Sequence, residues 1–278
     1  DGNRAAIDPD STIDFSGYPH YAALPNLGLF ATSGFPFTRM ADLSDTAVVL
    51  PRQPAQQDIG AFLNVMGQMG QSTGYPALRY RLVDEGALDS VKKMDLLIVG
   101  NARNLGLLKA WRDKLPTTLD SAGRKVAEGE TTDLPAGMGQ APGQAAGGRI
   151  NGQVDFAAQG KLGAILALES PLASGRSAVI VTGSEPDALA LATGALADDG
   201  KVAQMSGSAV LVRGDTIDSQ QLGPVYYVGN LPLWTWVWLF LSAHPLLLAG
   251  LSALAVLIFA FAILRLFKAL AARRIRES

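Results

Sequence analysis

Along the chain the apolar positions alternate between two periods. Thr46 to Leu50 is a short β-branched run closed by Pro51, which suits a strand buried on both faces. Pro54 then opens a predicted helix to about Gln71, in which Ile59, Phe62, Leu63, Met66 and Met69 recur at three and four and should face a core. Ala77 to Val83 reads as a second strand. Its Arg79 and Arg81 point to the face opposite Leu78, Tyr80 and Leu82, as an exposed or edge strand would have it. Asp95 to Gly100 is a third strand of the buried kind, followed by a helix from Leu105 to Leu115 carrying Trp111. Further strands are predicted at Arg149–Phe156, Gly163–Leu168, Ala178–Thr182 and Ala209–Val212, with a helix over Glu185–Leu196. Strands and helices alternating at this spacing predict an α/β sandwich with a mainly parallel sheet over residues 45–230. Residues 117–148, rich in Gly, Ala, Thr, Gln and Pro, read as an irregular, mobile insertion within it. Residues 1–44 hold short apolar clusters without a sustained period. They are expected to be a linker or the end of a preceding domain, with Tyr18, Tyr21, Phe30, Phe35 and Phe37 as packing residues.

The pattern changes from Ser219 to Leu264, where 46 residues pass without one Asp, Glu, Lys or Arg. From Pro245 to Leu264 the chain is almost wholly Leu, Ala, Ile, Val and Phe. About 20 residues at about 1.5 Å each span roughly 30 Å of hydrocarbon, so a transmembrane helix is predicted over 245–266. Ahead of it, Leu233, Trp234, Trp236, Trp238 and Phe240 crowd into 231–243. One straight helix through both stretches would be far longer than a bilayer is thick. Pro245 supplies the break, since it fits the first position of a new helix and not the middle of one. Residues 231–243 are therefore read as an amphipathic helix along the membrane surface, its tryptophans at headgroup depth. Trp234 and Trp238 share a face, and Trp236 points away from it. Membrane lipid on one side leaves the other side free to press on a partner.

Charge orients the segment. Residues after Leu264 carry Arg265, Lys268, Arg273, Arg274 and Arg276 against Glu277, whereas on the other side the nearest basic residue is Arg213. Basic flanks stay in the cytoplasm, so a single-pass topology in the inner membrane is predicted, with 267–278 as a basic cytoplasmic tail and the bulk in the periplasm. Residues 1–230 hold 18 Lys and Arg against 24 Asp and Glu, a net charge of −6 that speaks against nucleic acid as a partner. There is no cysteine, hence no disulfide and no cysteine-based zinc site. The chain begins with Asp1 and an outside domain calls for an export signal, so a longer exported precursor is expected.

Candidate chemistry is sparse. Pro51, Arg52, Gln53 and Pro54 follow the first strand, where a phosphate cradle would need small residues and free amides. The glycines around Gly137 and Gly139 form no dinucleotide fingerprint, and only His20 and His244 are on hand for histidine chemistry. Asp8 with Asp10, and Asp198 with Asp199 and Gly200, read as turns; Glu169 and Glu185 read as caps. No catalytic residue, cofactor or metal is predicted.

Leu24-Pro25-Asn26-Leu27, Gly34-Phe35-Pro36-Phe37-Thr38 and the strand Val48-Val49-Leu50-Pro51 resemble the second flavodoxin-like domain of the bacterial cellulose synthase regulatory subunit. The later block Asn230-Leu231-Pro232-Leu233-Trp234, with Trp236, the proline-started span and the basic tail, is similar to the interface helix and anchor of the same family. The resemblance implies a flavodoxin-like periplasmic domain, preceded over 1–44 by the end of a carbohydrate-binding-like β domain or a linker. It implies a non-catalytic role in cellulose synthesis under cyclic di-GMP control: docking on the membrane-embedded catalytic subunit, support of its activity and passage of nascent β-1,4-glucan. An acidic outside domain without an arginine cluster is a poor site for a dianion, so nucleotide control is assigned to the catalytic partner. Residues 117–148 are expected to contact other copies of the subunit. Two other classes share parts of the pattern. An exported single-pass receptor or solute-sensing domain would need more than the short tail after Leu264 for signalling, and a flavodoxin-type redox enzyme would need a phosphate loop.

Overall fold

The computed structural model describes residues 21–116 and 161–276. The expected insertion over 117–148, the strand Arg149–Phe156, the Asp8 and Asp10 pair, Tyr18 and His20 lie outside the described residues. In chain order the strands are Tyr21–Leu24 (β1), Thr46–Leu50 (β2), Arg81–Asp84 (β3), Asp95–Val99 (β4), Gly163–Glu169 (β5), Ser177–Gly183 (β6), Ala209–Arg213 (β7), Thr216–Gln220 (β8) and Tyr226–Gly229 (β9). The helices are Leu27–Ser33 (α1), Gln56–Thr73 (α2), Gly106–Ala110 (α3), Leu189–Leu196 (α4), Asp199–Val202 (α5), Leu233–Ala243 (α6) and Pro245–Arg276 (α7). Residues Ala22–Val228 form one compact unit; the described residues from Gly229 onward belong to a second.

A seven-stranded sheet in the order β3-β2-β4-β6-β5-β7-β8 organises the first unit. The expected mainly parallel sheet is corrected here to a mixed one. β3, β2, β4 and β6 run parallel, while β5, β7 and β8 join antiparallel. The cause is connection length. β5 reaches β6 through Ser170–Arg176, and β7 reaches β8 through Gly214 and Asp215 alone, with Gly214 at φ +58°. Neither link can hold a crossover helix, so each pair folds back as a hairpin.

β2, β4 and β6 are buried throughout, as strands covered on both faces must be. On one face α1, α2 and α4 contribute Leu27, Phe30, Phe62, Val65, Met66, Met69, Leu189 and Leu196 to a single cluster with Val48, Leu97 and Val179. Phe30 meets Phe37 edge to face with centroids 5.8 Å apart, so these aromatics pack as expected. On the other face Val91, Leu105, Leu107 and Trp111 cover Val49, Ile98 and Ile180.

Three details depart from the pattern. Ile59 and Leu63, expected in the core, are 43% and 59% exposed, because α2 is rolled so that Ala61 and Val65 are buried instead. Gln68 fixes that roll, its Nε2 donating to Leu196 O and Ala31 O. The second predicted strand shrinks to β3, which does lie at the sheet edge, with Arg79 ahead of it paired to Asp42 at 3.2 Å. The helix expected over Leu105–Leu115 breaks at Trp111 into α3 and a 3-10 turn, Arg112–Lys114.

Candidate membrane anchor and interface helix

Pro232 precedes α6 with φ −54° and ψ 143°, and its carbonyl accepts the first helical bond from Trp236 N–H at 3.0 Å. All residues from Leu233 to Phe240 are apolar apart from Thr235, so no longitudinal stripe is fully polar. What differs between the faces is the aromatic geometry. Trp236 stacks on Phe240 with centroids 5.7 Å apart and planes at 11°, and Phe240 stacks on the His244 ring at 4.6 Å. Trp234 and Trp238, 82% and 66% exposed, stand on the side away from this ladder. His244 was not among the expected contact residues, although its i+4 spacing from Phe240 was readable.

His244 also ends α6. Its backbone leaves the helical region at φ −124° and ψ 74°, and its carbonyl accepts from Leu247 and Leu248 N–H at 3.0 Å, opening α7 with Pro245 at the first position. The proline lacks the amide hydrogen that the first turn would leave unpaired anyway. Pro245–Lys268 is a helix of 24 residues, long and apolar enough to cross a membrane, and none of it is buried inside the protein. At about 1.5 Å per residue this reaches about 36 Å, enough to cross the hydrocarbon core with some tilt. The two serine hydroxyls within the apolar stretches are satisfied locally, Ser242 Oγ donating to Leu239 O and Ser252 Oγ to Leu248 O, both at 2.8 Å. Neither serine need face lipid unpaired. At the far end the Arg265 guanidinium lies 5.0 Å over the Phe261 ring, and the helical backbone continues past Lys268 through Arg273 and Arg274 to Arg276. One apolar C-terminal helix thus fits a single-pass membrane anchor, and Leu233, Trp234, Trp236, Trp238, Phe240 and Pro245 sit on the two helices around its entry.

In the first unit the carboxyl ends of the parallel strands are filled by the chain itself. Asp58, wholly buried in the first turn of α2, accepts Ala55 N–H on Oδ2 at 2.9 Å and Asn101 N–H on Oδ1 at 2.8 Å. Pro51 packs so closely on Gly100 that a Cβ there would meet its ring at 2.8 Å. Two of the amides at this switch point, those of Ala55 and Asn101, are thus committed to a carboxylate.

At the opposite ends of the strands, Asp95 is buried and accepts Ser177 N–H at 2.8 Å, with the guanidiniums of Arg176 and Arg39 at 3.4 and 3.5 Å. Both arginines also reach Asp45. Burial pushes the Asp95 carboxyl above its ordinary range, against the pull of Ser177 N–H and the two arginines. Among the described residues no three His, Cys, Asp or Glu side chains converge as metal ligands.

A family model, the second FD domain of the cellulose synthase protein BcsB, matches residues 20–181. The chain belongs to the BcsB family. Similarity to this family's relatives runs further than the matched domain. The cyclic di-GMP-binding protein of Salmonella typhi is 38% identical over 275 residues, 98% of this chain and 35% of that protein. The cyclic di-GMP-binding protein of Pseudomonas fluorescens (strain SBW25) is 40% identical over 236 residues, 83% of this chain and 31% of that protein. Cellulose synthase 1 of Novacetimonas hansenii is 33% identical over 274 residues, 98% of this chain and 18% of that protein. The chain thus spans about a third of the length of its cyclic di-GMP-binding relatives, and the stretch shared at 98% coverage takes in α6 and most of α7.

Proposed function

We propose that this BcsB family member is a non-catalytic accessory subunit of a cellulose synthase complex. In this reading α7 crosses the inner membrane with Arg265, Lys268, Arg273, Arg274 and Arg276 on the cytoplasmic side. The unit Ala22–Val228 stands in the periplasm, and α6 lies along the outer membrane surface. The observation that carries the reading is the pairing of a fully exposed 24-residue apolar helix with an aromatic helix immediately before it, in a member of a cellulose synthase family. A plain anchor needs only the span. An additional helix with one aromatic ladder and one separate tryptophan face offers lipid and a partner a side each. We assign the partner side to membrane helices of the catalytic subunit, which α6 and α7 hold in an active arrangement while the periplasmic unit helps to guide β-1,4-glucan. Residues 117–148 serve contacts between copies.

Cyclic di-GMP, which names several relatives, acts in this scheme on the catalytic partner. The net charge of −6 over residues 1–230 favours that division, and Arg39, Arg79, Arg103, Lys161, Arg176 and Lys201 among its basic residues are paired with the chain's own carboxylates. The test is polymer synthesis in membranes that contain the catalytic subunit and residues 231–278 alone. Retained synthesis, with co-purification in mild detergent, is expected. Complete loss of synthesis would move the activating role to the periplasmic unit.

A further inference from the structure

His244 is the one ionisable side chain between Tyr227 and Arg265, in the stretch that carries α6 and the apolar part of α7. Ionisable groups set among apolar helices are costly to place and mark contacts or function. What this ring does begins with the proline after it. Pro245 has no amide hydrogen, so Leu241 O loses the donor that a continuing helix would bring to it. His244 N–H turns to Leu241 O instead, at 3.1 Å. That shift orphans Phe240 O, and the His244 ring answers it, with Nδ1 2.9 Å from that oxygen. A carbonyl only accepts, so Nδ1 carries the hydrogen and donates. One residue thus closes the end of α6 and satisfies both carbonyls that the proline orphans.

The bond at Nδ1 decides what the other nitrogen offers. In the neutral ring Nε2 keeps a lone pair and accepts, and α6 with the apolar run after it holds no carboxylate that would balance an imidazolium. Among the described residues nothing meets Nε2. Its direction is fixed. The ring is tied to Phe240 O, stacked on the Phe240 ring with centroids 4.6 Å apart and followed by Pro245, and Phe240 in turn stacks on Trp236. A fixed acceptor at the end of a stacked ladder suits a donor that is itself fixed, because little further ordering is needed on binding. Lipid headgroups are mobile and gain nothing from such order. Trp234 and Trp238, on the other side of α6, offer indole N–H groups, the donors that suit headgroup oxygens.

We propose that the Trp236, Phe240 and His244 ladder is the side of α6 that meets a membrane protein, and that His244 Nε2 accepts a hydrogen bond from a side-chain N–H or O–H of that partner. The proposal rests on the reading of α6 as a partner-binding helix, and adds which side of it binds and the chemistry of the contact. His244 is a positioning residue through Nδ1 and a contact residue through Nε2, and substitution separates the two roles.

The experiment takes the full chain and the catalytic subunit in mild detergent. It reads the dissociation constant of the pair, together with amide hydrogen exchange over residues 236–244 of the full chain alone. His244→Asn places an amide N–H where Nδ1 was and keeps the cap, but ends short of Nε2. His244→Gln places its terminal amide where Nε2 was, with an oxygen to accept, and gives up the cap. His244→Asn is expected to weaken binding about tenfold, the scale of leaving a buried donor unpaired, with exchange as in the parent chain. His244→Gln is expected to bind within about threefold of the parent while exchange rises about fivefold, the scale of one net hydrogen bond. Parent-like affinity in His244→Asn overturns the proposal, because Nε2 would then face lipid or water and the ring would serve as a cap only. So does weaker binding by His244→Gln than by His244→Asn, since the partner would then respond to the helix end and not to the nitrogen. Absence of binding by the parent chain removes the partner reading of α6 and the proposal with it, whereas the first two outcomes remove the proposal alone.

Discussion

Asp58→Asn tests whether the chain's own carboxylate holds the carboxyl ends of the parallel strands together. Asp58 is wholly buried and offers one oxygen to Ala55 N–H and the other to Asn101 N–H, at 2.9 and 2.8 Å. An asparagine of the same shape keeps one acceptor and turns an NH2 toward the other donor. One charge-assisted bond is lost and the second becomes neutral, and such bonds contribute about 1.5–3 kcal/mol each. A loss of about 2–4 kcal/mol is therefore expected. For a folded unit of this size each kcal/mol moves the melting temperature by about 2–4 °C, so the shift should be roughly 4–16 °C downward. Calorimetry of the full chain in detergent reads the melting step of the sheet-bearing unit directly. Asp89→Asn, at an exposed position, is the control and should stay within about 0.5 kcal/mol of the parent chain. A melting temperature for Asp58→Asn within about 2 °C of that control would refute the reasoning, because it would mean that water or a backbone shift satisfies both amides without the carboxylate.

Gly67→Ala, where a Cβ meets nothing within 4 Å, should raise stability by about 1 kcal/mol, whereas Gly207→Ala, at φ +69° against Gln220 O, should lower it by several degrees in the same calorimeter. Burial raises the Tyr226 phenol above its ordinary value, with Asp95 and Glu169 adding to the shift against the Ser177 bond. Its contribution is complete below the unfolded value of about 10 and is lost as pH climbs toward the folded one, so melting temperature should fall faster above about pH 10 in the parent chain than in Tyr226→Phe. Because the chain lacks cysteine, single cysteines report topology cleanly. An impermeant maleimide should label Ser72→Cys once the outer membrane is opened, and Ser278→Cys only after the inner membrane is; the reverse order sinks the proposed orientation. Of the double variants Trp234→Ala with Trp238→Ala, and Trp236→Ala with Phe240→Ala, one alone should lose co-purification of the catalytic subunit, by tenfold or more. Equal behaviour of the two would mean that α6 has no partner side.

What could be read in the sequence depended on whether a residue's role was local. β2 and β4 were legible to within a residue, because strands covered on both faces spell continuous apolar runs that Pro51 and Gly100 end. The break at Pro245 was legible because a proline acts on its own turn of helix, not through tertiary contacts. α1 was missed: its 7 residues are too few to show a period, although Asn26 accepting Leu29 N–H and Gly34 at φ +72° are readable caps. β8 was missed because an edge strand reading Thr-Ile-Asp-Ser-Gln needs no apolar alternation. β9 was hidden inside the uncharged run that leads to α7. The Arg39, Asp45, Asp95, Arg176 and Tyr226 cluster had no sequence signal at all, since only the strand order brings these positions together. Strand direction failed although both ends of the short link from β5 to β6 were predicted as strands: the alternation of strands and helices elsewhere in the chain was extended across a link too short for a crossover.

That half-parallel, half-antiparallel sheet has a kinetic consequence. Within β5–β6 and β7–β8 every pairing closes a short loop, Leu168 with Ala178 or Val212 with Ile217, so these hairpins can zip without waiting for distant chain. The β4–β6 seam instead joins Leu96 to Ala178 and must close a loop of about eighty residues. The C-terminal half of the sheet is therefore the natural seed, onto which β2, β3 and β4 condense. In a chain that emerges from its N-terminus, β2, β3 and β4 wait for β6, and their apolar faces are the ones a chaperone would meet.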